Sequence, residues 1–352
     1  MPPNRRVTLK QVAERAEVSR AAASFALSGR PGVSDATRTK VLRIASELGY
    51  APNQVAQNLR SSRTGMVAVY LPEDVSTLSY YMEATFGVID EAEQSGHTVT
   101  LIPHRPTGLN RLQADGIIML DPTRGDPMIG HLLDLGLPVI SGEELPEPSD
   151  DDLPRPSSPQ SLERSAEVAG LVTSDHAAST VELLEHFVAR GARRPGIIAS
   201  SVPMAWSMTV EATYRQWCAD RELNPLVEYA SLDGLEETTR RATRNLLDTG
   251  TVDAILALAD GSALNVITSA AEYGRRVGED LLVAATVDSP VLSYTDPAVT
   301  AVDLRPREFG RRCMSVLSRV LDAADASPDT LAEVVDTEVI YRASTRGTAG
   351  DR

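Results

Sequence analysis

The chain has 352 residues, 34 Lys/Arg against 49 Asp/Glu, a formal net charge of −15 and two cysteines. That length exceeds one small core and suggests two or three domains at ~100–200 residues each, while Cys218 and Cys313 lie far apart with no zinc or redox spacing, so a disulfide framework is excluded and both are expected as reduced, buried thiols. No stretch approaches the ~18–20 apolar residues that cross a bilayer, and the opening MPPNRRVTLK lacks the apolar run of a signal peptide, so a cytoplasmic location is expected.

The charge is segregated. Through Thr64 eleven Lys/Arg face four Asp/Glu, a net of +7, and the remainder carries 23 against 45, or −22. A basic module ahead of an acidic body suits a headpiece that holds a polyanion while the bulk is repelled by it. Within the module, Thr8 followed by Gln11 makes a capping box, and Leu9, Val12, Ala13 and Ala16 recur at helical spacing, which predicts a helix over residues 9–16. Ser19 caps a second helix whose Ala22, Ala23, Ala26 and Leu27 offer small apolar contacts before Gly29 and Pro31 end it. Two short helices joined by so brief a turn must cross steeply, the helix-turn-helix arrangement that frees the second helix to enter a major groove. Ser34 caps a third helix over 35–48, ended by Gly49, with Val41, Leu42, Ala45 and Leu48 expected to close a small core. After GYAP, Asn53 caps QVAQNLRSSRT, with Val55, Ala56 and Leu59 on its apolar side. An isolated helix well under about 12 residues seldom persists in water, so this one is expected to form only against a partner helix and DNA.

Residues 7 to 64 resemble the headpiece of the LacI/GalR family of bacterial transcription regulators. The match covers the order helix, tight turn, helix, GVS, helix and then ELGY, PN, VAQ and a leucine, which is far more than a lone helix-turn-helix. The resemblance implies a DNA-binding domain over 1–52 and a hinge helix with linker over 53–64. It further implies a dimer whose paired hinge helices enter the minor groove, where Leu59 wedges into a base step and kinks the duplex. Base reading falls by the same resemblance to Arg20, Ala21 and Phe25. Arg20 suits guanine O6/N7 or a phosphate, whereas Ala21 and Phe25 supply apolar contact such as a thymine methyl. The family more often has a polar or Arg residue where Phe25 stands. Ser19, Ala22, Ser24, Ser28, Ser34, Thr37 and Tyr50 match positions that mostly touch phosphates, and Thr8, Asn53 and Ala56 complete the DNA-binding set.

From Met66 the pattern changes. MVAVYLP, HTVTLIP, ADGIIML, LPVIS, GLVTSD, RPGIIAS, DAILALAD and LLVAATVD are short apolar runs alternating with helical stretches such as SYYMEATFGVIDEAEQSG. Runs apolar on both faces indicate parallel sheets covered by helices, so the body is α/β. The order resembles the two-lobed, periplasmic-binding-protein type I core of the same family, spanning 65–345 before a tail at 346–352. Its first lobe is expected over 65–171 and 299–326, and its second over 172–298 and 327–345. In such sheets ligands collect at the carboxyl ends of strands. Effector-binding candidates there are Tyr80, Tyr81 and Trp206 as an aromatic wall, with Asp260, Asp288 and Asp303; Asp175 and Asp260 fit equally well as caps of the helices that follow. The family's sugar-coordinating arginine falls at Val210, and Arg215 one turn later is no evident replacement. LIPHRPTGLNRLQADGI is shorter than the family's strand-helix-strand passage, and EELPEPSDDDLPRPSSPQSLERSAE is an acidic, Pro/Ser-rich insertion.

The five histidines, at 97, 104, 131, 176 and 186, have no metal-ligand spacing, and His176 and His186 are expected to decorate a helix. Neither Gly-x-Ser-x-Gly nor a phosphate-binding loop occurs, so no enzyme, cofactor or metal is expected. The expected function is a sequence-specific, ligand-responsive repressor, homodimeric on a pseudo-palindromic double-stranded operator at the nucleoid, its effector a sugar or other small metabolite. A DNA-architectural protein whose core only dimerises is the alternative.

Overall fold

The computed structural model describes residues 7–27, 31–50, 63–72, 78–102, 104, 109–145, 168–323 and 331–347. The chain divides into two compact units, Met1–Gly65 and Met66–Arg352.

The first unit is three helices, α1 (Leu9–Ala16), α2 (Arg20–Leu27) and α3 (Asp35–Glu47). Thr8 caps α1 with the reciprocal Gln11 bonds of a capping box, and Ser34 caps α3 through the Thr37 backbone amide. Val12, Ala16, Ala23, Ala26, Val41 and Ile44 are buried together, with alanines where α1 and α2 approach. Leu42, expected in this core, is exposed and Ile44 takes its place. With 3.6 residues per turn, Val41, Ile44, Ala45 and Leu48 share a stripe, and Leu42 turns about 100° away from Val41. The 53–64 segment, and with it Asn53, Ala56 and Leu59, lies outside the described residues apart from Arg63 and Thr64.

The second unit holds two six-stranded sheets. In the first, β1 (Met66–Tyr70), β2 (Thr98–Leu101), β3 (Gly116–Leu120), β4 (Val139–Gly142), β5 (Gly170–Ser174) and β11 (Leu331–Val335) are all parallel, in the order β11-β5-β4-β3-β1-β2. In the second, β6 (Pro195–Ser200), β7 (Val227–Ala230), β8 (Ala254–Ala257), β9 (Leu282–Ala285), β10 (Thr300–Asp303) and β12 (Glu338–Ile340) take the order β12-β10-β9-β8-β6-β7, with β12 antiparallel to β10. Helices α4 (Ser79–Gln94), α5 (Pro127–Leu133), α6 (His176–Ala189), α7 (Ala205–Ala219), α8 (Leu235–Asp248), α9 (Ser262–Glu272) and α10 (Pro306–Asp322) cover the sheets. Strands β3, β4, β8 and β9 are buried at every residue, as strands covered on both faces must be. Cys218 and Cys313 are free, buried thiols. Among the described residues no helix is long and apolar enough to cross a membrane.

The expected division of segments between lobes needs correction. The strand at 300–303, assigned to the first lobe, pairs in the second sheet, while 331–335, assigned to the second, pairs in the first. The boundary at 171/172 falls inside β5, which belongs to the first sheet throughout. The chain therefore crosses between the sheets three times, after Ser174, after Asp303 and after Val335. Between β2 and β3 the described residues hold only one short 3-10 turn, Leu109–Arg111, in keeping with the shortened passage in the sequence.

Helices α4 and α10 cross with backbone against backbone. A Cβ on Gly310 would stand 1.8 Å from the Ala84 carbonyl oxygen, and one on Gly87 would stand 2.0 Å from that of Arg307. Arg307 and Arg311 tie the same crossing to Asp90 at 2.8 Å. Gly310→Ala is expected to lower the unfolding free energy by about 3 kcal/mol or more, the upper range for overpacking, because only backbone displacement relieves the clash. Gly130→Ala, in α5 with nothing near the new methyl, is expected to gain about 0.5–1 kcal/mol from helix propensity. Denaturant midpoints of the two variants check both signs.

Candidate functional sites

The headpiece presents one face of α2. Ser19 ends the three-residue turn from α1, and its Oγ accepts the Ala22 amide at 3.1 Å, so the helix starts with Arg20 and Ala21 projecting into solvent. One turn on, Phe25 is 38% exposed, and a Cβ on Gly32 would stand 3.2 Å from its ring, so the ring lies over glycine backbone. At the other end Arg38 donates to the carbonyls of Phe25 and Ala26, which a helix C-terminus leaves without intrahelical partners. Ser19, Ser34 and Thr37, expected at phosphates, and Thr8, expected in the DNA-binding set, all serve as caps or cap partners. Thr8 already donates its hydroxyl to Gln11 Oε1, and of Ser34 and Thr37 one donates to the other, so a phosphate taken by Thr8 replaces an intramolecular hydrogen bond. Tyr50 is half-buried against the small core.

The second unit holds a cleft where its crossovers meet the carboxyl ends of the strands. Asp121 follows β3, Glu143 follows β4, and His176 opens α6 directly after β5. Tyr80 and Tyr81 reach in from the first turn of α4, and Met204 and Trp206 from the start of α7. Asp121 and Glu143 have left-handed backbones, φ +50° and +78°, a conformation that costs non-glycine residues of order 1–3 kcal/mol and collects at functional sites.

The polar groups of the cleft form a buried network. Glu143 Oε1 accepts from the Ser174 amide and bonds His176 Nε2, both at 3.1 Å. Tyr81 donates its hydroxyl to Asp121 Oδ2, while Asp121 Oδ1 and Ser174 Oγ are buried with no hydrogen-bond partner. Burial, followed by the charge of Glu143, pushes the Asp121 carboxyl up to about 7. Burial presses the His176 imidazole down, but the hydrogen bond and charge of Glu143 outweigh it and the ring holds its proton above the ordinary range. Burial, with Asp121 next, raises both tyrosine hydroxyls well above theirs.

The two lobes also touch away from the crossovers. Ser79 Oγ donates to Asp260 Oδ2 at 2.9 Å, the Arg124 amide donates to the Pro203 carbonyl at 3.1 Å, and Thr123 pairs with Met204 in an isolated antiparallel bridge. The cleft is held closed.

Residues 8–53 match the pattern of bacterial regulatory proteins of the lacI family, and residues 184–345 match a periplasmic binding protein-like domain. The HTH-type transcriptional regulator CelR of Thermobifida fusca is 29% identical over 98% of this chain and all of its own length. Catabolite control protein A of Staphylococcus xylosus is 25% identical over 97% of this chain and 99% of its own length. Among solved structures, a CelR–cellobiose complex superposes with a TM-score of 0.69 at 25% identity, covering 96% of this chain and all of that one. A lac repressor dimer bound to operator and an anti-inducer superposes at 0.70, covering 97% of this chain and 99% of that one; at 20% identity it speaks for the fold alone. The chain belongs to the lacI family of bacterial regulatory proteins.

In this lacI-family transcription regulator the cleft gathers four of the six expected effector residues, Tyr80, Tyr81, Trp206 and Asp260. Asp260 does not cap α9, whose cap residue is Gly261 with no side-chain bond, and its side chain lines the cleft. Asp175 does cap its helix, accepting the Ala178 amide at 2.9 Å. Asp288 and Asp303 are corrections. The Asp288 carboxylate is clamped by both Nη atoms of Arg342 at 2.7 and 2.8 Å, and Asp303 accepts the Arg305 amide at 2.7 Å to shape the turn into α10; neither lines the cleft. Val210 is buried, and Arg215 is paired with Glu211 and Tyr229 away from the cleft. His176, expected on a helix surface, is buried. Asp121 and Glu143 escaped the sequence reading altogether; the signal that marked them was a carboxylate placed directly after a fully apolar run, at GIIML-D and VISG-E.

The raised carboxyl sets a pH dependence. Between the ordinary Asp pKa of ~3.9 and about 7 the native protein keeps a proton that the unfolded chain has lost, so stability falls as pH rises through that window. His176, also raised, contributes stability that is present below ~6.5 and lost as pH rises through its native pKa, the same sign. The melting temperature is therefore expected to drop from pH 5 to pH 8. Asp121→Asn should flatten most of that slope in thermal unfolding followed across the range.

Proposed function

We infer that this lacI-family regulator is a ligand-responsive repressor that acts as a homodimer on a pseudo-palindromic operator in the cytoplasm, its work being binding rather than catalysis. One observation carries this: a capped α2 whose leading turn leaves Arg20, Ala21 and Phe25 exposed is joined in one chain to a closed cleft with unsatisfied polar atoms. Arg20 is assigned to guanine or a neighbouring phosphate, and Ala21 and Phe25 to apolar base edges. The hydroxyls of Thr8, Ser19, Ser24, Ser34, Thr37 and Tyr50 are assigned to phosphates, which fix register, with Ala22 alongside them. Ser28, Asn53, Ala56 and Leu59 join this set from the sequence alone. For dimerisation, α4 offers Met82, Phe86 and Ile89, an exposed apolar stripe at helical spacing. The lac repressor was solved as a dimer on operator, and CelR with cellobiose in place.

The effector acts by changing the relative free energies of lobe arrangements with and without contacts such as Ser79–Asp260 and Arg124–Pro203. A ligand that binds both states equally would shift nothing, so the cleft must prefer its ligand in one of them.

Footprinting the protein on the DNA upstream of its own gene is expected to protect a symmetric site. Log affinity should fall linearly with log salt at about 0.9 per phosphate contacted. Arg20→Ala should cost about 1–3 kcal/mol at one base position and relax preference there. A loss equal on all sequences would place Arg20 on a phosphate instead. Absence of protection on any duplex would remove the repressor assignment.

A further inference from the structure

The cleft is dressed for a particular kind of occupant. Leu78, Met204, Val287 and Leu304 supply apolar walls, with the aromatic faces of Tyr80 and Trp206. Its charged groups besides His176 are carboxylates, and no Lys or Arg lines it among the described residues. Glu143 is committed to His176 and the Ser174 amide, and Asp260 to Ser79. The carboxylate left with an unsatisfied buried oxygen is Asp121, 4% exposed, with Tyr81 on Oδ2 and nothing on Oδ1. A sugar needs donors and acceptors around its whole rim, since each hydroxyl desolvated without a partner costs about 1–3 kcal/mol. These walls offer few.

We propose that the cleft holds a compact organic cation, an amine or amidine on an aromatic or apolar body, with its protonated nitrogen on Asp121 Oδ1 and its body against Tyr80 and Trp206. The proposal rests on the effector role inferred above and names the ligand class of that site. Burial makes a bare carboxylate costly here, and the Asp121 carboxyl is pushed up to about 7. A cation replaces the carboxyl proton with both a charge and the missing donor, and an aromatic face adds attraction for the positive group. The arrangement also selects against anions and neutral polyols, because neither compensates the carboxylate.

The test uses the full-length protein with benzylamine and benzamidine, their neutral counterparts benzyl alcohol and benzamide, and glucose and cellobiose, followed by thermal shift and calorimetry. A cation is expected to bind at least tenfold more tightly than its neutral counterpart, and Asp121→Asn, still melting cooperatively, to lose tenfold or more of that affinity. Cation affinity should rise about tenfold from pH 6 to pH 8, since a proton on a group titrating near 7 competes below that pH. Tyr80, Tyr81, Glu143, His176 and Cys313 are the titratable groups facing Asp121. Protonation of His176 at pH 6 would repel a cation in the same direction, so a pH rise retained in His176→Gln assigns it to Asp121. Glucose or cellobiose binding in preference to both cations, equal cation binding by Asp121→Asn, or no binding of either cation overturns the proposal. Operator binding by the ligand-free protein is measured separately, and its failure would strike the repressor assignment rather than the ligand class.

Discussion

Glu143 is the point on which the core turns. Its carboxylate lies on the lobe of the first sheet, yet its partners, the Ser174 amide and the His176 ring, sit where the chain leaves that sheet for the other. A buried carboxylate needs hydrogen bonds and an opposite charge, and here both come from residues at the crossover between the sheets. The Glu143 charge in turn raises Asp121, and against the lowering effect of burial it raises His176 as well. A single carboxylate thus couples the geometry of the crossover to the proton content of the cleft, through Coulomb interaction in a low dielectric.

Much of the fold was legible because burial leaves a plain mark on composition. Strands such as GIIML and LVAA read as apolar on both faces, and the headpiece helices were framed by Thr8, Ser19 and Ser34 because short hydroxyl side chains are the usual donors' partners at helix starts. Membership of one sheet or the other was not legible. TAVD and LAEVV are four and five residues long, and their own sequence states only that they pair, not with whom; the partner is decided by where the preceding helix leaves the chain. Likewise Asp288 and Asp303 carry the same local signature as a ligand contact, an aspartate at a strand end, and only Arg342 and the Arg305 amide distinguish them.

The headpiece shows how one side chain can serve two masters. Ser19, Ser34 and Thr37 hold helix starts together, a cap being worth ~1 kcal/mol, and hydroxyls so placed are already oriented with no rotamer freedom left to lose when a phosphate arrives. Under the proposed phosphate assignment, rigidity and recognition come from the same atoms. Phe25 lies over the Gly32 backbone and still leaves 38% of its surface exposed.

The glycine crossing of α4 and α10 extends beyond packing. With backbones in contact at Gly87 and Gly310 and Asp90 bridged to two arginines, neither helix can slide or bend without the other, so the pair behaves as one beam. At 1.5 Å per residue, the sixteen residues of α4 make it about 24 Å long. Tyr80 and Tyr81 sit at its inner end, and Met82, Phe86 and Ile89 along its outward side. A tilt of a few degrees imposed at the tyrosines displaces the far tip by one to two ångströms, roughly, on that length. The beam converts a change too small to alter the fold of either lobe into a displacement that a neighbouring molecule seated on the stripe would register as misfit.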